Sequence, residues 1–125
     1  MNPRILIVDD NPDNRKLIAW LLEDEGFENL VEVDTAEACL EILEQESFDL
    51  VLMDIRLPEM GGDEATRKLR ADPRFADLPI IAVTAHAISG EKEAILASGV
   101  SALVTKPIDE EELLTTMRRL LEERS

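Results

Sequence analysis

Four short runs of nearly unbroken apolar residues constrain this chain more than any other feature: Ile5-Leu6-Ile7-Val8, Leu50-Val51-Leu52-Met53, Ile80-Ile81-Ala82-Val83 and Ala102-Leu103-Val104. They are rich in β-branched residues and bounded by Pro, Asp or Gly, as strands covered on both faces are, and such strands belong to parallel sheets. A fifth run, Leu30-Val31-Glu32-Val33, carries a charge in its middle and suits a sheet edge.

Between the runs the period becomes helical. Leu17, Ile18, Leu21 and Leu22 form a stripe closed by Gly26, and Ala36, Cys39, Leu40 and Leu43 form another behind the cap candidates Asp34 and Thr35. Asp63 to Arg70 and about Ser89 to Ser98, ended by Gly99, read as further helices. Asp109 with Glu112 makes a capping-box pattern for a last helix carrying Leu113, Leu114, Met117, Leu120 and Leu121. Strand followed by helix, five times over, predicts an α/β fold: an open, doubly wound, five-stranded parallel sheet with five helices on its two faces and right-handed crossovers. At 125 residues the chain reads as a single domain, 1–125, with the last helix leaving no room for an output domain.

Composition excludes several function classes. A net charge of −15 repels a phosphate backbone, so direct nucleic-acid or anionic-membrane binding is not expected. The longest uncharged run, Leu78 to Gly90, contains Pro79, Thr84 and His86 and is too short and polar to span a bilayer. Ile5 to Val8 is too brief for a signal peptide, and the lone Cys39 points to a reducing compartment, so a cytoplasmic protein is expected.

In an open α/β sheet the ligand crevice lies outside the carboxyl ends of the strands, where the strand order reverses. There the chain puts Asp9-Asp10 after strand one, Asp54 at the end of strand three, Thr84 at the end of strand four and Lys106 after strand five. Carboxylates gathered in one crevice raise one another's pKa unless a cation intervenes. Mg²⁺, a hard ion that accepts one or two carboxylates and phosphate oxygens, answers that need. The softer ligands His86 and Cys39 are far apart along the chain, which argues against zinc or copper. Acids, a metal and a lysine are equipped to hold a phosphoryl group.

Asp9-Asp10-Asn11-Pro12, Met53-Asp54-Ile55-Arg56-Leu57-Pro58-Glu59-Met60, Val83-Thr84-Ala85 and Thr105-Lys106-Pro107 together resemble a response-regulator receiver domain over nearly the whole chain. Thr84-Ala85-His86-Ala87 is similar to a turn common in stand-alone, chemotaxis-regulator-like receivers and in those of hybrid kinases. The resemblance implies a flavodoxin-like sheet in the order 2-1-3-4-5. It implies that Asp54 accepts a phosphoryl group from a histidine kinase or histidine phosphotransfer protein. Asp9, Asp10, Asp54 and the Arg56 backbone carbonyl would hold Mg²⁺, Thr84 and Lys106 would contact the phosphoryl oxygens, and the Lys106–Pro107 peptide would be cis. The switch implied runs through Thr84 to the face of helix four, strand five and helix five, which signals to a downstream protein; the domain itself would be a monomer or weak homodimer and catalyse only its own modification. Arg56 and His86 stand where the family tunes acyl-phosphate lifetime. Two places depart from the family: Leu103 replaces an aromatic of the switch, and Met60-Gly61-Gly62 is expected to loosen the loop after strand three.

Plainer roles compete for some of these residues. Asp9 and Asp10 could cap the helix after Pro12, Cys39 and the last helix's leucines suit the core, and Glu110-Glu111-Glu112 suits a solvated first turn. A flavodoxin-like cofactor carrier shares the architecture but needs a Gly/Ser/Thr-rich phosphate cradle. An aspartate-nucleophile phosphatase needs a nucleophile on strand one and a cap. A receiver serving as an unphosphorylated scaffold would lack the need for Asp54, Thr84 and Lys106 as a set.

Overall fold

In the computed structural model, described over residues 2–85 and 89–124, five parallel strands form one sheet in the order β2-β1-β3-β4-β5. The strands are β1 (Arg4–Val8), β2 (Asn29–Val33), β3 (Leu50–Asp54), β4 (Ile80–Thr84) and β5 (Ala102–Thr105). The helices are α1 (Pro12–Asp24), α2 (Ala36–Gln45), α3 (Gly62–Arg70), α4 (Ser89–Ala97) and α5 (Glu110–Arg124). The α/β expectation is met, and β2, with Glu32 exposed in its middle, is an edge strand.

Alternation along each central strand sends successive side chains to opposite faces and builds two cores. Ile5 and Ile7 of β1, with Leu50 and Leu52 of β3, pack against Ile18 and Leu22 of α1 and Leu113 and Met117 of α5. Leu6, Val8, Val51 and Met53 pack against Ala36, Cys39 and Leu43 of α2 and Ala65 and Leu69 of α3. Burial of each large aliphatic side chain contributes roughly 1.5–3 kcal/mol, so the sheet is held from both sides.

Local signals set the helix ends. Asn11, not Asp9 or Asp10, caps α1, its Oδ1 accepting from the Asp13 amide at 2.9 Å and the Asn14 amide at 3.3 Å. Pro12 fills the first helical position, where no amide donor is needed. Thr35 caps α2 and Asp109 caps α5. Gly26 and Gly99 take left-handed φ values of 96° and 110° after α1 and α4. Between α3 and β4, Pro73–Phe75 forms a 3₁₀ turn that no apolar period announces.

The loop after β3 corrects one expectation. Gly62 is required by crowding rather than by flexibility, because a Cβ there would lie 2.1 Å from the Asp54 carbonyl oxygen and 2.8 Å from Met53 Cγ. The Gly62 amide donates to the Ile55 carbonyl at 2.9 Å, drawing the start of α3 onto the end of β3. The reversal itself falls at Glu59, whose φ of 64° is left-handed.

Gly62→Ala is expected to lower unfolding free energy by about 1–3 kcal/mol, as overpacking does. Gly90→Ala, whose Cβ would meet open space in α4, should instead raise it by roughly 0.5–1 kcal/mol. Urea midpoints of the two variants check this, and equal midpoints would refute the crowding at Gly62.

Candidate functional site

The strand order reverses between β1 and β3, so their carboxyl ends border the crevice that such sheets use for ligands. Asp9 follows β1 and Asp54 closes β3; both are buried, at 1% and 5% exposure, whereas Asp10 is exposed. One carboxylate oxygen from each of Asp9, Asp10 and Asp54 lies within 4.8 Å of the others. Lys106, directly after β5, places Nζ 3.4 Å from Asp9 Oδ2 and 3.4 Å from Asp54 Oδ2. Residues 97 apart in sequence thus meet because three parallel pairings carry the lysine from the far edge strand to the acids.

Backbone contacts fix this arrangement. The Asp9 amide donates to the Val33 carbonyl at 3.2 Å, the Ile55 amide to Val83 at 3.2 Å and the Lys106 amide to Thr84 at 2.8 Å. Asp9, Ile55 and Lys106 thus continue the hydrogen-bonded ladder just past the ends of β1, β3 and β5. Asp9 Oδ1 accepts from the Asn11 amide at 2.9 Å, and Asp54 Oδ1 from the Arg56 amide at 3.2 Å. Thr84 is buried at the end of β4, in register with Thr105 and one residue from Lys106 on the neighbouring strand. The Lys106–Pro107 peptide is cis, as expected.

The electrostatics follow from burial. The Asp54 carboxyl is pushed up to about 6, first by loss of water and then by the Asp9 charge; the Lys106 ammonium and the Arg56 amide oppose the rise. Three clustered carboxylates offer only oxygen, the donor that Mg²⁺ prefers, and so their chemistry fits that ion. The only cysteine lies outside this cluster, in α2, and is fully buried, its thiol pushed up to about 12 by desolvation.

The remaining candidates divide. The Arg56 guanidinium turns outward and pairs with Glu91 of α4 at 3.1 Å. Leu103 is half-buried on β5, in register with Ala82. Trp20 is 62% exposed on α1. His86 lies outside the described residues. Arg15, which the apolar periods did not single out, donates from Nη1 to the Asp9 carbonyl at 2.8 Å. Its spacing of six from Asp9 gains meaning only once α1 is seen to start at Pro12.

Residues 5–118 match the model of the response regulator receiver domain. The sensor protein GacS of Pseudomonas syringae pv. syringae is 47% identical over 114 residues, covering 89% of this chain but 12% of that protein. The chain spans the same 12% of the length of the histidine kinase BarA of Escherichia coli K12. The polar-differentiation response regulator DivK of Brucella ovis is 38% identical over 97% of this chain and 98% of its own length. Among solved structures, the receiver domain of the Pseudomonas aeruginosa sensor histidine kinase PA1611 superposes with a TM-score of 0.89 at 34% identity, covering 98% of this chain and 99% of that one. That structure has a magnesium ion coordinated in its active-site cleft.

The raised Asp54 pKa carries a sign for stability. The folded chain holds the Asp54 proton more tightly than the unfolded chain, so ionisation opposes folding as pH rises through the window from about 4 to 6. In metal-free buffer Asp54→Asn is expected to be more stable than wild type at pH 7, by about 1–3 kcal/mol, with the gap closing as pH falls towards 4. Urea titrations across that range test it, and a gap that widens on acidification would contradict the assignment.

Proposed function

The chain belongs to the response regulator receiver family, and on that premise we propose that Asp54 takes a phosphoryl group from a phosphohistidine of a histidine kinase or histidine phosphotransfer protein. The observation that carries this reading is the seating of Asp54, buried at the carboxyl end of β3 with Lys106 Nζ 3.4 Å from its outer oxygen. A carboxylate so placed can attack phosphorus. A P–O bond to Asp54 forms as the P–N bond breaks, imidazole leaves, and the product is an acyl phosphate that water later hydrolyses to phosphate and free carboxylate.

Phosphoryl transfer asks a protein mainly for alignment and for cancellation of charge on the equatorial oxygens. Lys106 supplies a fixed positive charge beside the acceptor oxygen, and the Thr84 hydroxyl supplies a donor from β4. Asp9, Asp10, Asp54 and the Arg56 carbonyl are the groups that would hold Mg²⁺, which when bound would offset the negative charge of the incoming phosphoryl group. The Asp54 carboxyl, pushed up to about 6, is largely ionised at neutral pH and available as the nucleophile.

The added charge, about −2 with three acceptor oxygens, is the signal. Its attraction for the Thr84 hydroxyl favours one arrangement of the segment leading to α4 and shifts a pre-existing equilibrium of the α4, β5 and α5 face, which a downstream protein reads. With Leu103 where an aromatic would move, the response rests on the segment and helix. The chain carries out its own phosphorylation and dephosphorylation in the cytoplasm rather than turning over a free substrate.

Acetyl phosphate with Mg²⁺ should add one phosphoryl group to the wild-type chain by intact mass, and none without Mg²⁺ or in Asp54→Asn. A gain persisting in Asp54→Asn would overturn the proposal. Arg56→Ala and His86→Ala are expected to change the decay rate of the phosphorylated form, through access of water to the acyl phosphate. Unchanged decay in both would remove that role.

A further inference from the structure

On this reading of the site, we propose that Arg15 is a positioning residue for the cation site: its guanidinium clamps the Asp9 carbonyl and thereby fixes the peptide plane from which the Asp10 carboxylate is presented. Arg15 Nη1 donates to Asp9 O at 2.8 Å, while Nε lies 3.5 Å from Glu32 Oε1 on the edge strand β2. The side chain is only 20% exposed. Helical side chains lean towards the N-terminus. Arg15, whose amide closes the bond to the Asn11 carbonyl at 3.0 Å, therefore reaches back over the turn that joins β1 to α1.

The clamp completes the restraint of Asp9. Its amide is held by Val33, Oδ1 by the Asn11 amide and Oδ2 by Lys106, which leaves the carbonyl as the group that Arg15 secures. The Asp9 C=O and the Asp10 N–H share one planar unit, so a bond to the first orients the second. Asp10 itself is exposed, between a fully restrained residue and the capping Asn11, and its direction is set by these neighbours. Glu32 holds the guanidinium from its other side and keeps the fork aimed at the turn.

Positioning and simple electrostatics predict opposite signs. Removing a positive charge beside a dication site tightens binding if charge alone matters; loosening the turn weakens it. Calorimetric titration of Mg²⁺ into the full chain is expected to give a Kd about tenfold weaker in Arg15→Gln, as when groups that hold a metal ligand in place are removed. Arg15→Lys, whose single ammonium cannot serve both the Asp9 carbonyl and Glu32, should show a smaller loss in the same direction. With Mg²⁺ raised about tenfold, Arg15→Gln should be phosphorylated by acetyl phosphate to the wild-type extent, a recovery that a general loss of stability would not give. An unchanged or tighter Kd in Arg15→Gln, or in Arg15→Lys if Arg15→Gln does not fold, overturns the role of Arg15. A wild-type chain that takes up no Mg²⁺ overturns the reading of the site and this inference with it.

Discussion

The ammonium of Lys106, 3.4 Å from both Asp9 and Asp54, is the interaction on which the site depends. Two buried carboxylates at such distances repel by several kcal/mol even at an effective dielectric of about 20, and without a cation one of them would hold its proton. The compensation is incomplete. Three carboxylates around one ammonium leave two negative charges, the charge that one divalent cation cancels. The Asp54 carboxyl stays raised to about 6, first because burial strips its water and then because the Asp9 charge adds to the effect, more than Lys106 takes back. The acidic cluster is thus one that could hold a divalent cation.

Restraints are unequal along α4. Its carboxyl end is tied down by Arg70, which donates to Gly99 O at 2.8 Å and Phe75 O at 2.7 Å in partly buried surroundings, and to Ser101 Oγ at 3.3 Å at the exposed edge. Ser101 in turn accepts from the Ile80 amide at 3.1 Å and donates to the Ile80 carbonyl at 2.7 Å, joining β4 to the same network. Bonds to a charged donor of this kind are worth roughly 1.5–3 kcal/mol each. Near its amino end, α4 makes the exposed Arg56–Glu91 pair, of a class worth about 0–1 kcal/mol. Among the described residues, the contacts that hold the carboxyl end of α4 are thus of a stronger class than the pair near its amino end.

Much of this was legible in the sequence, for reasons that are local. Strand positions announce themselves because residues buried on both faces must be apolar, and helix ends because Asn11, Thr35 and Asp109 are capping types in the right places. The rule that ligands sit at the carboxyl ends of strands then gathered Asp9, Asp10, Asp54, Thr84 and Lys106 without coordinates. What escaped depends on long-range contact. Gly62 looked like a loosening residue until the start of α3 was seen against the Asp54 carbonyl. Arg15 and Arg70 spend their charge on backbone carbonyls, Asp9 in one case and Gly99 and Phe75 in the other, and no charge pattern in the chain marks such partners. The bland assignment of Asp9 and Asp10 as helix caps fails because Asn11 occupies that role.

The cost of the site explains why it stands where the core is deepest. Asp54 extends a strand whose every residue is buried, and it is flanked by β1 and β4, the two other central strands. A carboxyl at an edge such as β2 would keep its water and an ordinary pKa, and would need no lysine. At the centre it loses water, gains Asp9 as a neighbour and requires Lys106, but it also acquires the low-dielectric setting in which one added charge is felt strongly. Destabilisation of the resting chain has its origin in the burial of Asp54; on the proposed function, sensitivity to a phosphoryl group shares that origin, and relieving the first by moving the acid outward would forfeit the second.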